Sequence, residues 1–309
     1  MNEESTKKLK VAILYGGPSN EHEVSISSAK NVIENIDTSK FDVVELFIPK
    51  DSEFNINDVI ETECDIVYPV LHGTFGEDGT LQELLERAGI PFVGSGSVSS
   101  GIAIDKNASN KLFAENDLCI PKGQIITKDN PKISIDFPII IKPVNEGSSI
   151  GLFKCNSLAE YEEMQEDIFS IYKDMLAQEF ILGREFTCGV IEIDGKVVAL
   201  PVSEIIVDST KIFDYKAKYT LGECLEITPA DIEVNAAAKI QDIALRCHVL
   251  LDCKSISRTD FILTESNKIY VLETNTLPGM TKTSFIPAEA EAYGLSMKEL
   301  INCLLESAT

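Results

Sequence analysis

Ile256-Ser257-Arg258-Thr259-Asp260-Phe261-Ile262-Leu263, a polar break from Thr264 to Lys268, then Ile269-Tyr270-Val271-Leu272-Glu273-Thr274-Asn275: this stretch reads as two strands joined by a hairpin turn. Strand side chains alternate between faces, so Arg258 and Asp260 share one face of the first strand, and Glu273 and Asn275 share one face of the second. If Asp260 stands opposite Glu273, two carboxylates meet across the ladder, which is destabilising unless positive charge lies between them. Two carboxylates and an Asn amide oxygen make an all-oxygen donor set suited to a hard divalent cation such as Mg²⁺, which keeps further positions for water and phosphate oxygens. The plainer reading is the polar outer face of a surface hairpin. It is the weaker one, because Asn275 runs straight into Thr276-Leu277-Pro278-Gly279-Met280-Thr281, a tight turn that brings backbone N–H groups toward the same spot.

Working outward, the start of the chain carries the α/β signature. An apolar run from Lys8 to Tyr15 stops at Gly16-Gly17-Pro18, and from about Glu23 the pattern turns helical through Ile26, Ala29, Val32 and Ile33. Strands are expected at Phe41 to Ile48, Cys64 to Leu71 and Pro91 to Gly94, with a helix from Thr80 to Ala88. The helical stretch Ser97 to Asn116, the strand Pro138 to Lys142, a helix around Leu158 to Met175 and an extended segment to Ile181 form the next unit. From Arg184 strands dominate (Phe186 to Ile193, Lys196 to Ile206), followed by a long polar segment, Asp208 to Glu226, a helix from Pro229 to Leu250, and the hairpin. Ser296 and Glu299 make a capping box for a last helix. Three domains are expected, at residues 1–95, 96–183 and 184–309.

Composition narrows the class. The chain of 309 residues is long enough for two or three cores. No apolar run near the start is long enough for a signal segment or a membrane span, which places the expected location in the cytoplasm with no membrane partner. The eight cysteines are scattered without a CxxC pair and read as reduced core residues. A formal charge of -23 argues against nucleic acid as a partner. It also means that any anionic phosphate must be met by cations gathered locally.

Several segments could gather them. Asn145-Glu146-Gly147-Ser148-Ser149-Ile150-Gly151 follows the strand carrying Lys142, and such a loop can lay backbone N–H groups over phosphate oxygens. Alone it is most often a connector; its company, Lys106 and Lys218 in a cation-poor chain, raises its significance. Gly16-Gly17-Pro18-Ser19-Asn20-Glu21-His22-Glu23 lies at the strand end where open α/β sheets bind ligands. There Glu21 either receives a substrate ammonium or, by a slight preference from local sequence, complements the helix dipole. Of three histidines, His72 sits in the glycine-rich turn Leu71-His72-Gly73-Thr74-Phe75-Gly76-Glu77-Asp78-Gly79-Thr80, while His22 and His248 carry no clear chemistry. Phe213-Asp214-Tyr215-Lys216-Ala217-Lys218-Tyr219, in the long polar segment, reads as a lid rather than an idle loop.

Taken together, GGPSNEHEVS, LHGTFGEDGTLQ, IIIKPVNEGSSIG, GREFTCGV, FDYKAKY, SRTDFI and LETNTLPGMTKTS resemble the D-alanine–D-alanine ligases of the ATP-grasp superfamily, from Val11 to the last helix. The resemblance implies a three-domain ATP-grasp fold of the α/β class, with a Rossmann-like first domain and ATP between the second and third. It implies the reaction of ATP with two D-alanines to give ADP, phosphate and D-alanyl-D-alanine for peptidoglycan precursor synthesis. Asp260, Glu273 and Asn275 match ligands of two Mg²⁺ ions, with Mn²⁺ as a substitute. Lys106, Lys142 and Lys218 match ATP-phosphate contacts, and Ser148 and Ser149 lie in the phosphate-covering loop. Gln178, Glu179, Phe180 and Ile181 match the adenine segment, and Glu185 the ribose contact. Glu21, Ser148 and Tyr219 match a hydrogen-bonded set that shuts the lid; Glu21, bordered by His72, also binds the first D-alanine's ammonium. Arg258 and the Gly279 backbone match the oxyanion partners, and Ser284 the anchor of the second carboxylate. A homodimer is expected.

The chain departs from its relatives at three of these places. Gln178 stands where many have Glu, Asn145 where Arg is frequent, and Phe285 where a smaller aliphatic is common. Tyr219 is the residue that relatives making D-alanyl-D-lactate usually lack, which favours a dipeptide. The alternatives are a ligase of the same fold joining D-alanine to D-serine or D-lactate, and a non-catalytic nucleotide-binding protein.

Overall fold

The computed structural model describes residues 8–147, 151–207 and 224–308. Its first sheet is parallel, in the order β2 (Phe41–Ile48), β1 (Leu9–Gly16), β3 (Ile66–Val70). Central β1 is buried on both faces, as a parallel strand covered by helices should be. Val11 and Ile13 pack toward α1 (His22–Asn35), whereas Ala12 and Leu14 join Val59 of α2 (Ile56–Ile60) and Leu81 and Leu85 of α3 (Thr80–Ala88) on the other side. The turn out of β1 demands glycine, since Gly16 has φ +93° and a Cβ there would lie 2.4 Å from the Ile48 carbonyl oxygen. This turn leaves Glu21 at the carboxyl edge of the sheet. The expected strand at Pro91–Gly94 shrinks to a single bridge between Val67 and Phe92. Pro91 has no N–H to donate, and Gly94 turns away at φ +110°.

The second sheet is antiparallel, in the order β4 (Gly123–Thr127), β7 (Asp174–Glu179), β5 (Ile139–Pro143), β6 (Phe153–Cys155). Ile139, Ile141 and Ala177 pack beneath Tyr161 and Ile168 of α6 (Leu158–Ile171). Alternation then sends Ile140, Lys142 and Gln178 to the opposite face, with Ile140 directly across from Gln178.

The third sheet runs β11 (Cys224–Ile227), β10 (Ser203–Val207), β8 (Arg184–Ile193), β12 (Ile256–Leu263), β13 (Ile269–Asn275), and β9 (Lys196–Ala199) extends along β8 past the end of β10. A single strand was expected over Lys196 to Ile206. Pro201 interrupts it, because proline cannot donate to a ladder. One face packs on the helix Val234–Leu250, which starts after Pro229 rather than at it, through Phe186, Val190, Phe261 and Val271. The same core takes in Ala103 and Phe113. These belong to two helices where one was expected, α4 (Ser97–Ile104) and α5 (Lys106–Glu115). Asp105 leaves the helical region at φ -75°, ψ 97° and caps α5 by accepting from the Asn107 and Ala108 N–H groups. On the other face, the helices Phe285–Tyr293 and Met297–Glu306 share one core with β1 and α1, through Ile286 and Leu300 among others. The first and third sheets are thereby held together. Ser28 and Asn31 of α1 further bind the N–H and the carbonyl of Met280, fixing the turn after β13. Seven cysteines with described side chains are free.

Asp105 fixes the first turn that carries Lys106. Replacing it with alanine is expected to lower stability by about 1 kcal/mol in urea denaturation, with the m-value unchanged.

Candidate active site

The β12–β13 register brings Arg258 opposite Asn275 and Asp260 opposite Glu273, and at the next pair it shifts, so that Phe261 faces Val271. Leu272 is the extra residue of a β-bulge. Plain alternation would put Val271 and Glu273 on the same face. The bulge reverses the phase between them, so Val271 stays in the core while Glu273 and Asn275 turn to the face of Arg258 and Asp260. Thr274, buried between them, lies 2.9 Å from Thr259 by their hydroxyl oxygens.

Cations converge on these facing carboxylates. The Arg258 guanidinium donates from Nε (3.0 Å) and Nη2 (3.2 Å) to the two oxygens of Asp260, and the Thr187 hydroxyl donates to Oδ1 at 2.6 Å. Glu273 Oε2 lies 3.5 Å from Lys106 Nζ and 3.7 Å from Lys142 Nζ. Burial opposes the Arg258 charge, but Asp260 outweighs it, and the guanidinium is held in its charged form more firmly than in water. Lys106, itself buried, also donates to the Glu146 carbonyl at 2.5 Å. Asn275 Oδ1 accepts from the Leu277 N–H at 3.1 Å.

Two cavities meet at this pair, and both are lined by Asp260 and Glu273. The larger, about 400 Å³, brings together Glu21, His72, Arg258, Asn275, Gly279, Ser284 and Phe285. The smaller, about 150 Å³, brings together Lys106, Lys142, Gln178, Glu179, Phe180, Ile181 and Glu185. Ser148, Ser149, Lys218 and Tyr219 lie outside the described residues.

Although Glu21 stands at the N-cap of α1, its carboxylate makes no capping bond. It lines the larger cavity instead, with Gly73 and Gly147 so close that a Cβ at either would come within 3.1 and 3.2 Å of Oε2. The His72 tautomer is set by its neighbours: Nδ1–H donates to the Leu277 carbonyl (3.0 Å), so Nε2 accepts from the Ser28 hydroxyl (3.1 Å). Burial pushes this imidazole below its ordinary pKa. Ser284 Oγ accepts from the Thr281 N–H at 3.0 Å, and a Cβ on Gly279 would sit 2.8 Å from that same oxygen. Phe285 covers the guanidinium, its ring centroid 5.8 Å from Arg258 Cζ. Phe180, which lines the smaller cavity, has Lys154 Nζ 3.8 Å from its ring centroid. The buried Gln178 Nε2 has no hydrogen-bond partner among the described residues.

Three polar residues of this region were not singled out from sequence. Glu77 lines the larger cavity and accepts from the Gly73 N–H at 2.8 Å, and burial, then the Glu21 charge, drive its carboxyl well above the ordinary range. Its place in the glycine-rich turn after β3 was the available signal. Thr187 has none beyond its position in β8. Glu289, fully buried in the helix Phe285–Tyr293, is pushed up to about 8 by burial, against the Ser203 and Gly189 hydrogen bonds.

The donor chemistry fits a hard cation. Asp260, Glu273 and Asn275 offer oxygen donors on one sheet face, and the two carboxylates line both cavities.

Residues 121–306 match the family described as D-ala D-ala ligase C-terminus, and residues 10–63 and 56–95 match D-ala D-ala ligase N-terminus. A D-alanine–D-alanine ligase of Desulfotalea psychrophila is 37% identical over 318 residues, covering 99% of this chain and 97% of that protein. One from Solibacter usitatus is 34% identical over 316 residues, covering 97% and 95%. The solved VanG D-Ala:D-Ser ligase from Enterococcus faecalis superposes with a TM-score of 0.87 at 32% identity, covering 98% of this chain and 100% of that one. The D-alanine–D-alanine ligase from Bacillus anthracis complexed with ATP gives 0.83 at 28% identity, covering 97% of each.

The histidines provide a check on the buried geometry. Burial lowers His72 and brings His248 to about 4. Below the unfolded value of about 6.5 the unfolded chain binds protons that these folded imidazoles refuse, so stability is lost as pH falls from there toward 4. NMR titration of the imidazole protons, assigned with His72→Gln and His248→Gln, is expected to give both midpoints below 6.5.

Proposed function

We propose that this chain, which belongs to the D-alanine–D-alanine ligase family, joins two D-alanines at the expense of ATP, releasing ADP and phosphate and supplying a peptidoglycan precursor. Its mixed α/β architecture is the ATP-grasp fold. The observation that carries the reading is the Asp260–Glu273 pair at the junction of two cavities, with Lys106, Lys142 and Arg258 gathered on it. In this reading the smaller cavity takes ATP. Gln178 to Ile181 hold adenine, Glu185 the ribose, and Lys106, Lys142, Lys218, Ser148 and Ser149 the phosphates. The larger cavity takes the amino acids, with the first ammonium at Glu21 beside His72, and the second carboxylate at Ser284. Asp260, Glu273 and Asn275 would hold Mg²⁺ (two ions) or Mn²⁺, which supplies charge neutralisation at the transferring phosphoryl group.

A carboxylate is a poor acyl donor until it is phosphorylated. The first D-alanine's carboxylate oxygen takes the terminal phosphoryl group, ADP leaves, and a D-alanyl phosphate remains. Positioning and charge drive this step without a protein nucleophile, so lysines and carboxylates line the junction rather than an activated Ser or Cys. The amine of the second D-alanine then attacks the acyl carbon. Arg258 and the Gly279 N–H stand as donors to the oxyanion, and collapse of the tetrahedral adduct expels phosphate. The neutral His72 keeps the subsite free of a further positive charge that would repel the first ammonium. Tyr219, in the lid segment, joins Glu21 and Ser148 to keep water from the acyl phosphate.

A second reading has its own support in the similarity to the VanG D-Ala:D-Ser ligase and in Phe285 at the cavity wall. A homodimer in the bacterial cytoplasm completes the proposal. No helix of the described residues is long and apolar enough to cross a membrane. The three domains follow the boundaries 1–95, 96–183 and 184–309, with residues 97–115 packing on the third.

ADP release in the presence of ATP and D-alanine alone is the expected result, with D-alanyl-D-alanine identified by mass spectrometry. No turnover with D-alanine alone, but turnover once D-serine is added, would favour the second reading. Arg258→Lys keeps a charge beside Asp260 but gives up the planar guanidinium. It is expected to lower kcat by about 10²–10³-fold while the KM for ATP changes little.

A further inference from the structure

The third sheet has a gap that a helix fills. β10 pairs with β8 through Thr187 and β9 pairs with it from Val190 onward, leaving Gly189 opposite the Leu200-Pro201-Val202 interruption. The Gly189 carbonyl accepts from the Leu200 N–H at 2.8 Å. Its own N–H donates to Glu289 Oε2 at 2.7 Å, in place of a strand carbonyl. The other oxygen of Glu289 accepts from the Ser203 hydroxyl at 2.9 Å, and Ser203 Oγ lies 2.7 Å from Thr228 Oγ1. One buried carboxyl therefore ties the helix Phe285–Tyr293 to β8 and β10 together. The contact is close as well as polar, because a Cβ on Gly189 would fall 2.5 Å from Ile286 Cδ1 and 2.7 Å from Glu289 Oε2.

This anchor stands beside the acceptor side of the site. Gly189 is the β8 partner of Arg258. Ser284 lies at the N-cap of the anchored helix, and Phe285, its first residue, covers the Arg258 guanidinium. The Glu289 carboxyl lies about one turn further along the same helix. We propose that Glu289 is a positioning residue for the acceptor subsite, holding the helix of Ser284 and Phe285 against the strand next to Arg258 and so setting the binding of the second amino acid without touching it. This rests on the assignment of Ser284 and Arg258 to the second D-alanine. An unfilled Gly189 N–H would be a buried orphan donor, so the helix has no equally good seat a short distance away.

Two variants separate the anchor from mere packing. In Glu289→Gln, the amide oxygen can accept from Gly189 and the amide NH₂ can donate to Ser203, which turns its own proton to Thr228. Glu289→Leu fills similar space but leaves the Gly189 N–H without an acceptor, while the Ser203 hydroxyl can still turn to Thr228. Initial rates over a range of D-alanine concentrations resolve the two amino-acid KM values. Glu289→Leu is expected to raise the second by about tenfold or more, with the first and the KM for ATP within about threefold, a discrimination typical of losing one buried polar contact. Glu289→Gln should stay within about twofold of wild type throughout. In parallel, hydrogen exchange followed by mass spectrometry should show faster exchange at residues 185–193 and 284–293 in Glu289→Leu alone. An unchanged second KM and unchanged exchange in Glu289→Leu would overturn the proposal, as would constants that all shift together, or a Glu289→Gln variant as impaired as Glu289→Leu. Wild-type protein that releases no ADP with D-alanine would instead overturn the reaction on which the acceptor assignment rests, and the exchange comparison would still report whether Glu289 seats the helix.

Discussion

Two carboxylates facing each other across an antiparallel pair are the constraint around which this molecule is organised. Asp260 and Glu273 meet because the strands hold that register, and they meet on the outer face because Leu272 is bulged out of it. Below the bulge, Ile269 and Val271 belong to the core; above it, Glu273 and Asn275 belong to the site. A ladder of strict alternation would have to choose between burying Val271 and presenting Glu273. The single extra residue permits both, which is the use to which bulges near active sites are commonly put.

The cost of gathering negative charge is met by placing cations rather than by adding them. The chain carries a formal charge of -23. Yet Arg258, Lys106 and Lys142 come from three different elements, β12, α5 and β5, to the same pair of carboxylates. Each is held from behind: Lys106 follows the Asp105 cap, Lys142 faces away from a helix-covered sheet, and Arg258 lies under Phe285. In an otherwise acidic protein this cluster is where a polyphosphate would be drawn, and Coulombic attraction there is less screened than on an open surface. The first and third sheets share a core, so Glu21 at the end of β1 and Ser284 beyond β13 sit on one rigid frame. The larger cavity between them follows from that shared packing.

Much of this could be read from the chain, and the rest could not for identifiable reasons. The pairing of Asp260 with Glu273 follows from the positions of the turn and the polar residues, but the bulge does not, since nothing in Tyr270-Val271-Leu272-Glu273 distinguishes a regular strand from one that skips a residue. The helix from Ser97 to Asn116 looked continuous because its apolar spacing is continuous; Asp105 breaks it by offering its carboxylate to two backbone N–H groups. Local sequence slightly favoured Glu21 as a helix-dipole partner, and only tertiary placement shows its carboxylate turned to the cavity. Glu289 was invisible for a deeper reason: a glutamate in a short helix is normally solvated, and its burial depends on a gap opened by Pro201 in a strand far away in sequence.

In the proposed reaction Asp260 and Glu273 act together as the seat of a divalent cation beside the nucleotide. Mn²⁺ binding in the presence of ADP, followed by electron paramagnetic resonance, tests it without relying on turnover. Wild-type protein is expected to hold Mn²⁺, and Asp260→Asn and Glu273→Gln are each expected to weaken that binding by about tenfold or more, as loss of a carboxylate ligand should. Binding of Mn²⁺ to both variants as tightly as to the wild type would contradict it.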